Sequence, residues 1–83
     1  MNTGNYVGRF LRPVVVRTGG ADIVIVDVTK AAEILLRSFP KETVRRKAAM
    51  SACLKALRGE GHALAARGAF VSAAREVGIL ASD

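Results

Sequence analysis

This chain has almost no cysteine, and Cys53 is the only one. A single cysteine excludes an internal disulfide framework, so a reducing compartment is the default expectation. Long apolar runs are missing as well, and no stretch approaches the roughly 20 apolar residues of a membrane span. The first ten residues, MNTGNYVGRF, lack the apolar segment of a signal peptide. We therefore expect a cytoplasmic protein that has no membrane partner.

Histidine and clustered acidic residues are equally scarce, which bears on catalysis and metal binding. A zinc site needs three or four ligands, and His62, Cys53 and scattered acids do not readily supply them. A nucleophilic cysteine needs a nearby base and a lowered pKa, whereas Cys53 falls in the middle of a predicted helix on its apolar face. His62 follows Gly61 near a helix start, where the dipole disfavours a protonated imidazole. The sequence predicts no catalytic residue, no metal and no cofactor, and hence not an enzyme.

Phosphate-binding loops and aromatic platforms are also lacking. TGGAD lies between two predicted strands and matches neither the dinucleotide-binding nor the P-loop pattern. RGEGH precedes a predicted helix and could hold an anion, but a tight turn between helices is favoured because Gly is so common just after a helix. The chain has no Trp and one Tyr, which leaves no stacking platform for bases.

Apolar and basic residues are what the chain has in abundance. Its 83 residues are 51% hydrophobic and carry a net charge of +6, with the excess at the N-terminus and around residues 41–58. A basic balance favours an anionic partner. Five basic side chains form a predicted ridge on the second helix: Arg45, Arg46, Lys47, Lys55 and Arg58. They could contact phosphates, so nucleic-acid binding is the alternative function. Against it, the third helix, which would read the bases, has no Asn or Gln.

Two apolar runs near the N-terminus predict a β-hairpin. Residues 13–17 (PVVVR) and 22–26 (DIVIV) are rich in β-branched residues and flank the turn TGGA. Neither run alternates polar with apolar residues, which is typical of strands covered on both faces. The helices can cover one face. The other face needs the N-terminal arm, the C-terminal segment or a second subunit.

Three helices are predicted after the hairpin. Asp27 caps the first helix and Pro40 ends it. The second runs from about residue 41 or 42 to 58 and the third from about 62 to 77, with Gly78 as the C-terminal cap. Residues 78–81 (GILA) are consistent with a short extended segment. The resulting prediction is a single α+β domain over residues 10–81, a two-stranded antiparallel hairpin packed on three helices, preceded by a flexible arm over residues 1–9.

The alanines of the second and third helices predict that these helices pack closely. Facing positions are small, which lets helix axes approach to the lower end of the usual 8–10 Å, and Phe70 fills the remaining space. Four other residues of the third helix lie away from this face of small residues. They predict a partner surface made of Leu64, Val71, Arg67 and Arg75.

The combined pattern resembles a family of small alphaproteobacterial proteins, abundant in rhizobia, known as domain of unknown function 982. The resemblance spans residues 10–79 and rests on F-x-x-PV-x-V, on an aromatic followed by Pro, on A-x-x-x-C-x-x-AL-x-G and on AR-x-AF-x-x-AA-x-x-x-G-I. In the family a Trp usually precedes that Pro, whereas Phe39 stands here. The resemblance implies an α+β fold and a cytoplasmic bacterial protein, and it transfers no site. Arg67 is its one polar motif residue, expected to bridge to a carbonyl or to Asp27 or Glu33.

These observations predict a small non-enzymatic binding or regulatory module. It is expected to act as a homodimer through the doubly apolar hairpin, or with another protein partner, and nucleic-acid binding by the basic ridge is the alternative.

Overall fold

The computed structural model describes residues 8–83. Along the chain the elements are β1 (Arg9–Thr18), β2 (Ala21–Asp27), α1 (Val28–Arg37), α2 (Val44–Leu57), α3 (Ala63–Glu76) and β3 (Leu80–Ser82). The α+β class and the three helices are confirmed. Strand β1 begins at Arg9, and residues 1–7 of the predicted arm lie outside the described residues.

The sheet corrects the two-stranded prediction, because it has three antiparallel strands in the order β2-β1-β3. The third strand comes from the C-terminal segment. Gly78 adopts a φ of 80°, which turns the chain back after α3. The Arg17 N–H then donates to the carbonyl of Ile79 at 2.8 Å, and Leu80 lies opposite Val16. A three-residue strand gives little periodicity of its own, so pairing with β1 decides its conformation.

The hairpin forms at the predicted place. Gly19 and Gly20 have φ values of 59° and 80°, which is the backbone of a two-residue type I′ turn. The turn aligns Thr18 with Ala21 and, further along, Val15 with Val24. The register shifts between Arg9 and Val14, so β1 is irregular in its first half.

Capping groups set the helix ends. The Asp27 carboxylate accepts a hydrogen bond from the Lys30 N–H at 2.8 Å, which confirms it as the cap of α1. Thr43 caps α2 by accepting from the Arg46 N–H at 3.0 Å, so this helix begins at Val44, two or three residues later than predicted. After α2 and α3 the chain closes with the paired backbone bonds of a Schellman motif, in which Gly59 and Gly78 take positive φ.

The core lies between one face of the sheet and the three helices. The largest side chains with no or almost no exposure are Phe70, Ile25, Leu35, Val14, Val16, Val28 and Cys53. Alanines fill much of the rest of the core on α2 and α3, as the small-residue pattern predicted: Ala49, Ala56, Ala66, Ala73 and Ala74. The Phe39 and Phe70 rings lie 6.1 Å apart between centroids and tilted by 58°, a favourable aromatic arrangement.

Candidate interaction surfaces

Cys53 and His62, the two conspicuous single residues, occupy different environments. Cys53 is fully buried on α2, and its burial raises the pKa of the thiol to about 11. His62 is exposed at the start of α3, and its side chain makes no capping hydrogen bond. A shallow hollow beside His62 is lined by Ser51, Lys55 and neighbouring small residues, but not by Cys53. Both residues are placed as the sequence indicates, one in the core and one at a turn.

The buried thiol leads to a prediction about chemical reactivity. We expect a thiol reagent to label native Cys53 slowly at neutral pH, because a pKa of about 11 and full burial leave little accessible thiolate. In denaturing urea the same thiol should react at the rate of a model peptide. Both rates can be followed by mass spectrometry, and native labelling as fast as the unfolded rate would place the thiol in an open site.

Within residues 8–83, no three His, Cys, Asp or Glu side chains come together as a candidate metal site. In the same residues, no helix combines the length and the hydropathy needed to cross a bilayer.

The predicted basic ridge is divided between different neighbours. Arg45 turns to α3, where it donates to Ser72 at 3.1 Å and lies 3.8 Å from Glu76. Arg46 turns to α1 and donates from Nε to the carbonyl of Leu35 at 2.9 Å. These two guanidinium groups therefore tie α2 to its neighbouring helices.

The other three basic residues of the predicted ridge are exposed. Lys47 lies 3.7 Å from Glu42, and Arg58 lies 3.1 Å from Glu60, both as exposed pairs. Lys55 is exposed on the same helix. Lys47 and Arg58 line one hollow together with Arg46, whereas Lys55 lines a different hollow beside His62.

The predicted partner surface on α3 needs a correction at Val71. This side chain is only 7% exposed and belongs to the core, because α3 packs on both the sheet and the other helices. Leu64 is 74% exposed, as a surface residue should be. Arg67 donates to the carbonyls of Arg12, at 2.9 Å, and of Asp83. Of the partners predicted for Arg67, a backbone carbonyl is therefore the one that the structure shows. Arg67 holds the C-terminal segment near β1.

Arg75, the fourth residue of that set, lies 3.3 Å from the Asp83 carboxylate. Together with Arg67, it holds Asp83 in place. The only large apolar side chain that this set leaves exposed is therefore Leu64.

The outer face of the sheet carries exposed valines. Val24 and Val26 are 54% and 38% exposed, whereas Ile25 between them is fully buried. Val15, which lies opposite Val24, is half-buried. Within residues 8–83 nothing pairs with the outer edge of β2, since β1 is its only neighbour. Among residues 8–83, the apolar hairpin predicted from the sequence is therefore covered on one face and left exposed on the other.

A second apolar surface lies between α1 and α2, which we call the α1/α2 trough. It has a volume of about 580 Å³, and its large apolar side chains are Leu36, Met50, Leu54 and Leu57. Of these, Leu36 and Leu57 are 65% and 48% exposed. This surface was not predicted from the sequence. Its signal is the spacing of Met50, Leu54 and Leu57, which repeat at i, i+4 and i+7 on one side of α2.

These features define the protein as a small α+β domain. Its conspicuous polar residues make contacts that hold the fold together, and its apolar surfaces are exposed within residues 8–83. The chain belongs to the family described as "Protein of unknown function (DUF982)", whose model matches residues 12–81. The family resemblance seen in the sequence is thereby confirmed. No curated protein and no solved structure matches the chain.

Proposed function

We propose that this protein is a small non-enzymatic interaction module that pairs with a second copy of itself through β2. The observation that carries the proposal is the exposed apolar edge: Val24 and Val26 lie on the outer face of a strand with no outer neighbour in residues 8–83. Such edges template pairing with another chain unless they are protected.

Protection of the β2 edge is weak. Natural edge strands carry Lys, Pro or a bulge that blocks pairing, but ADIVIVD has neither Lys nor Pro. Its charged residues, Asp22 and Asp27, stand near the two ends, and Asp22 is held by Arg17 at 2.7 Å. The middle of the strand is therefore available for another backbone.

The sequence of β2 suits pairing with itself. In a two-residue hairpin the pair next to the turn, Thr18 and Ala21, exchanges backbone hydrogen bonds, and this pattern then alternates along the strands. The N–H and C=O groups of Asp22, Val24 and Val26 consequently point away from β1. An antiparallel copy centred on Val24 would place isoleucine opposite isoleucine, because Ile23–Val24–Ile25 reads the same in both directions.

Net charge sets the salt dependence of this association. Each copy carries +6, so like charges oppose the dimer at low ionic strength. Salt near 0.1 M reduces the Debye length to about 10 Å and screens most of that repulsion. The dimer is therefore expected to strengthen as salt is added.

The test is the molecular mass in solution, measured by light scattering at high micromolar concentration. We expect the wild type to have twice the 8.8 kDa of one chain and Val24→Lys to be monomeric with an unchanged circular dichroism spectrum, because an edge lysine blocks strand pairing. Val44→Lys is the matched control, since it makes the same substitution at an exposed valine of α2 and should leave the dimer intact. A monomeric wild type, or a dimer that survives Val24→Lys, would contradict the proposal.

Nucleic-acid binding is the alternative proposal, supported by the exposed basic side chains of Lys47, Lys55 and Arg58. Binding through these side chains should weaken with salt, because phosphate contacts release counterions. An anisotropy titration with mixed DNA and RNA tests it, and the absence of any binding at low salt would exclude it.

A further inference from the structure

We propose that the α1/α2 trough is a docking site for an acidic amphipathic helix of a partner protein. This surface is separate from the β2 edge, so the proposal goes beyond the pairing of two copies. The trough runs between two helices. Together they expose three leucines, and Met50 beside them is half-buried. Apolar side chains aligned along a helix–helix groove are the receptor geometry for an amphipathic helix.

The dimensions of the trough suit a helix of a few turns. The walls of the trough are α1, whose 10 residues span about 15 Å, and the longer α2. Met50, Leu54 and Leu57 repeat at i, i+4 and i+7, and Leu36 stands on the opposite wall. A helix bearing apolar residues at the same spacing can insert its side chains between them.

Charge around the trough indicates an acidic occupant. Arg37 lies in the trough itself, and the adjoining hollow, which shares Met50 and Leu54 with it, is lined by Arg46, Lys47 and Arg58. Glu33 is the one acidic residue that lines the trough or the adjoining hollow, and its carboxylate lies 3.5 Å from Lys30. Carboxylates on the flanks of an incoming helix would therefore meet a positive rim.

The existing ion pairs on this rim do not prevent such binding. Lys47 and Arg58 contact Glu42 and Glu60 at 3.7 Å and 3.1 Å, but both pairs are exposed. Exposed pairs contribute little stability and are readily exchanged for a new carboxylate. Arg37 makes no ion pair within residues 8–83.

Other occupants fit this surface less well. A second copy of this chain would bring a further charge of +6 to an already basic rim. A nucleic acid would match the rim, but the leucine and methionine floor offers neither aromatic faces for stacking nor polar groups for reading bases.

The experiment uses a synthetic fluorescein-labelled peptide that forms a helix, with leucines at i, i+4 and i+7 and glutamates on both flanks. We expect it to bind the full-length protein and to bind more weakly as salt is raised, which is opposite to the salt dependence of the dimer. A peptide with the leucines scrambled at equal charge, and one with lysine in place of glutamate, should both bind about tenfold more weakly or worse.

Two variants of the protein locate the site. Leu54→Glu places a carboxylate on the floor of the trough and should weaken binding of the acidic peptide about tenfold or more. Val44→Glu introduces the same carboxylate at an exposed apolar residue of α2 outside the lining of the trough and should leave the affinity unchanged. Both altered residues are exposed, so both variants are expected to keep the wild-type circular dichroism spectrum.

Several results would overturn the proposal. Equal affinity for the scrambled peptide would show attraction by charge alone, and equal loss in both variants would show that the trough is not the site. Loss of the homodimer in Leu54→Glu would make a second copy the occupant. Competition by a short DNA duplex at the Leu54-dependent site would make a nucleic acid the occupant.

Discussion

Replacing Phe70 with Ala is expected to lower the free energy of unfolding by about 3–5 kcal/mol, the usual cost of truncating a buried phenylalanine. Phe70 is fully buried, and its ring packs against Phe39. At roughly 0.05–0.15 kcal/mol per residue, a chain of 83 residues has about 4–12 kcal/mol of stability in total. The loss is a large part of that total, and the variant should be partly or wholly unfolded at room temperature.

Urea or thermal unfolding followed by circular dichroism measures this effect, with a fall in Tm of more than about 10 °C expected. Phe70→Leu is the matched control, since it keeps most of the apolar volume and should cost clearly less. A loss below about 1 kcal/mol for Phe70→Ala would show that the ring does not fill the core in the way described.

Replacing Ala49 with Leu is expected to cost about 1–3 kcal/mol through overpacking. Ala49 lies on the fully buried face of α2, in the part of the core that is lined largely with alanines. A larger side chain there would force neighbouring side chains out of their preferred rotamers or move the helices apart.

Ala48→Leu provides the control for Ala49→Leu, because Ala48 is the preceding residue on the same helix and is exposed. It changes helix propensity by the same amount and should leave the stability within about 0.5 kcal/mol of the wild type. Urea unfolding of both variants gives the comparison. Equal stability of the two variants would contradict close packing of small residues on the inner face of α2.

Much of the fold could be predicted because its signals are local. The paired glycines at 19 and 20 dictate the turn, and Asp27 and Gly78 mark a helix start and a helix end through their own hydrogen bonds and φ values. The sequence indicated an extended segment over residues 78–81, but its place as a third strand could not be predicted, because residues 80–82 become a strand only through pairing with β1. The start of α2 was placed too early because residues 41 and 42 favour a helix, whereas the Thr43 cap sets the boundary.

The surfaces were harder to predict, because they depend on which elements are neighbours. A helical pattern places Arg45 and Arg46 near the other basic residues, but long side chains turn toward whatever carbonyl or carboxylate is near, here Leu35 and Glu76. Val71 was misplaced because α3 packs on more than one neighbour and so buries a wider face than one stripe. The α1/α2 trough needs the relative position of two helices, which no single helical pattern contains.

The outer edge of β2 is the feature on which the proposed function depends. The backbone amides of Val24 and Val26 point away from β1, so in a single chain they exchange with solvent unless another strand covers them. In the dimer the same amides are paired. Their exchange therefore reports directly on the association, residue by residue.

Amide hydrogen exchange of Val24 and Val26, measured by NMR at low and at high protein concentration, is the most direct test. We predict fast exchange at low micromolar concentration and clear protection at high micromolar concentration, while Ile23 and Ile25, already paired with β1, change little. Exchange at Val24 and Val26 that is the same at both concentrations would contradict the account.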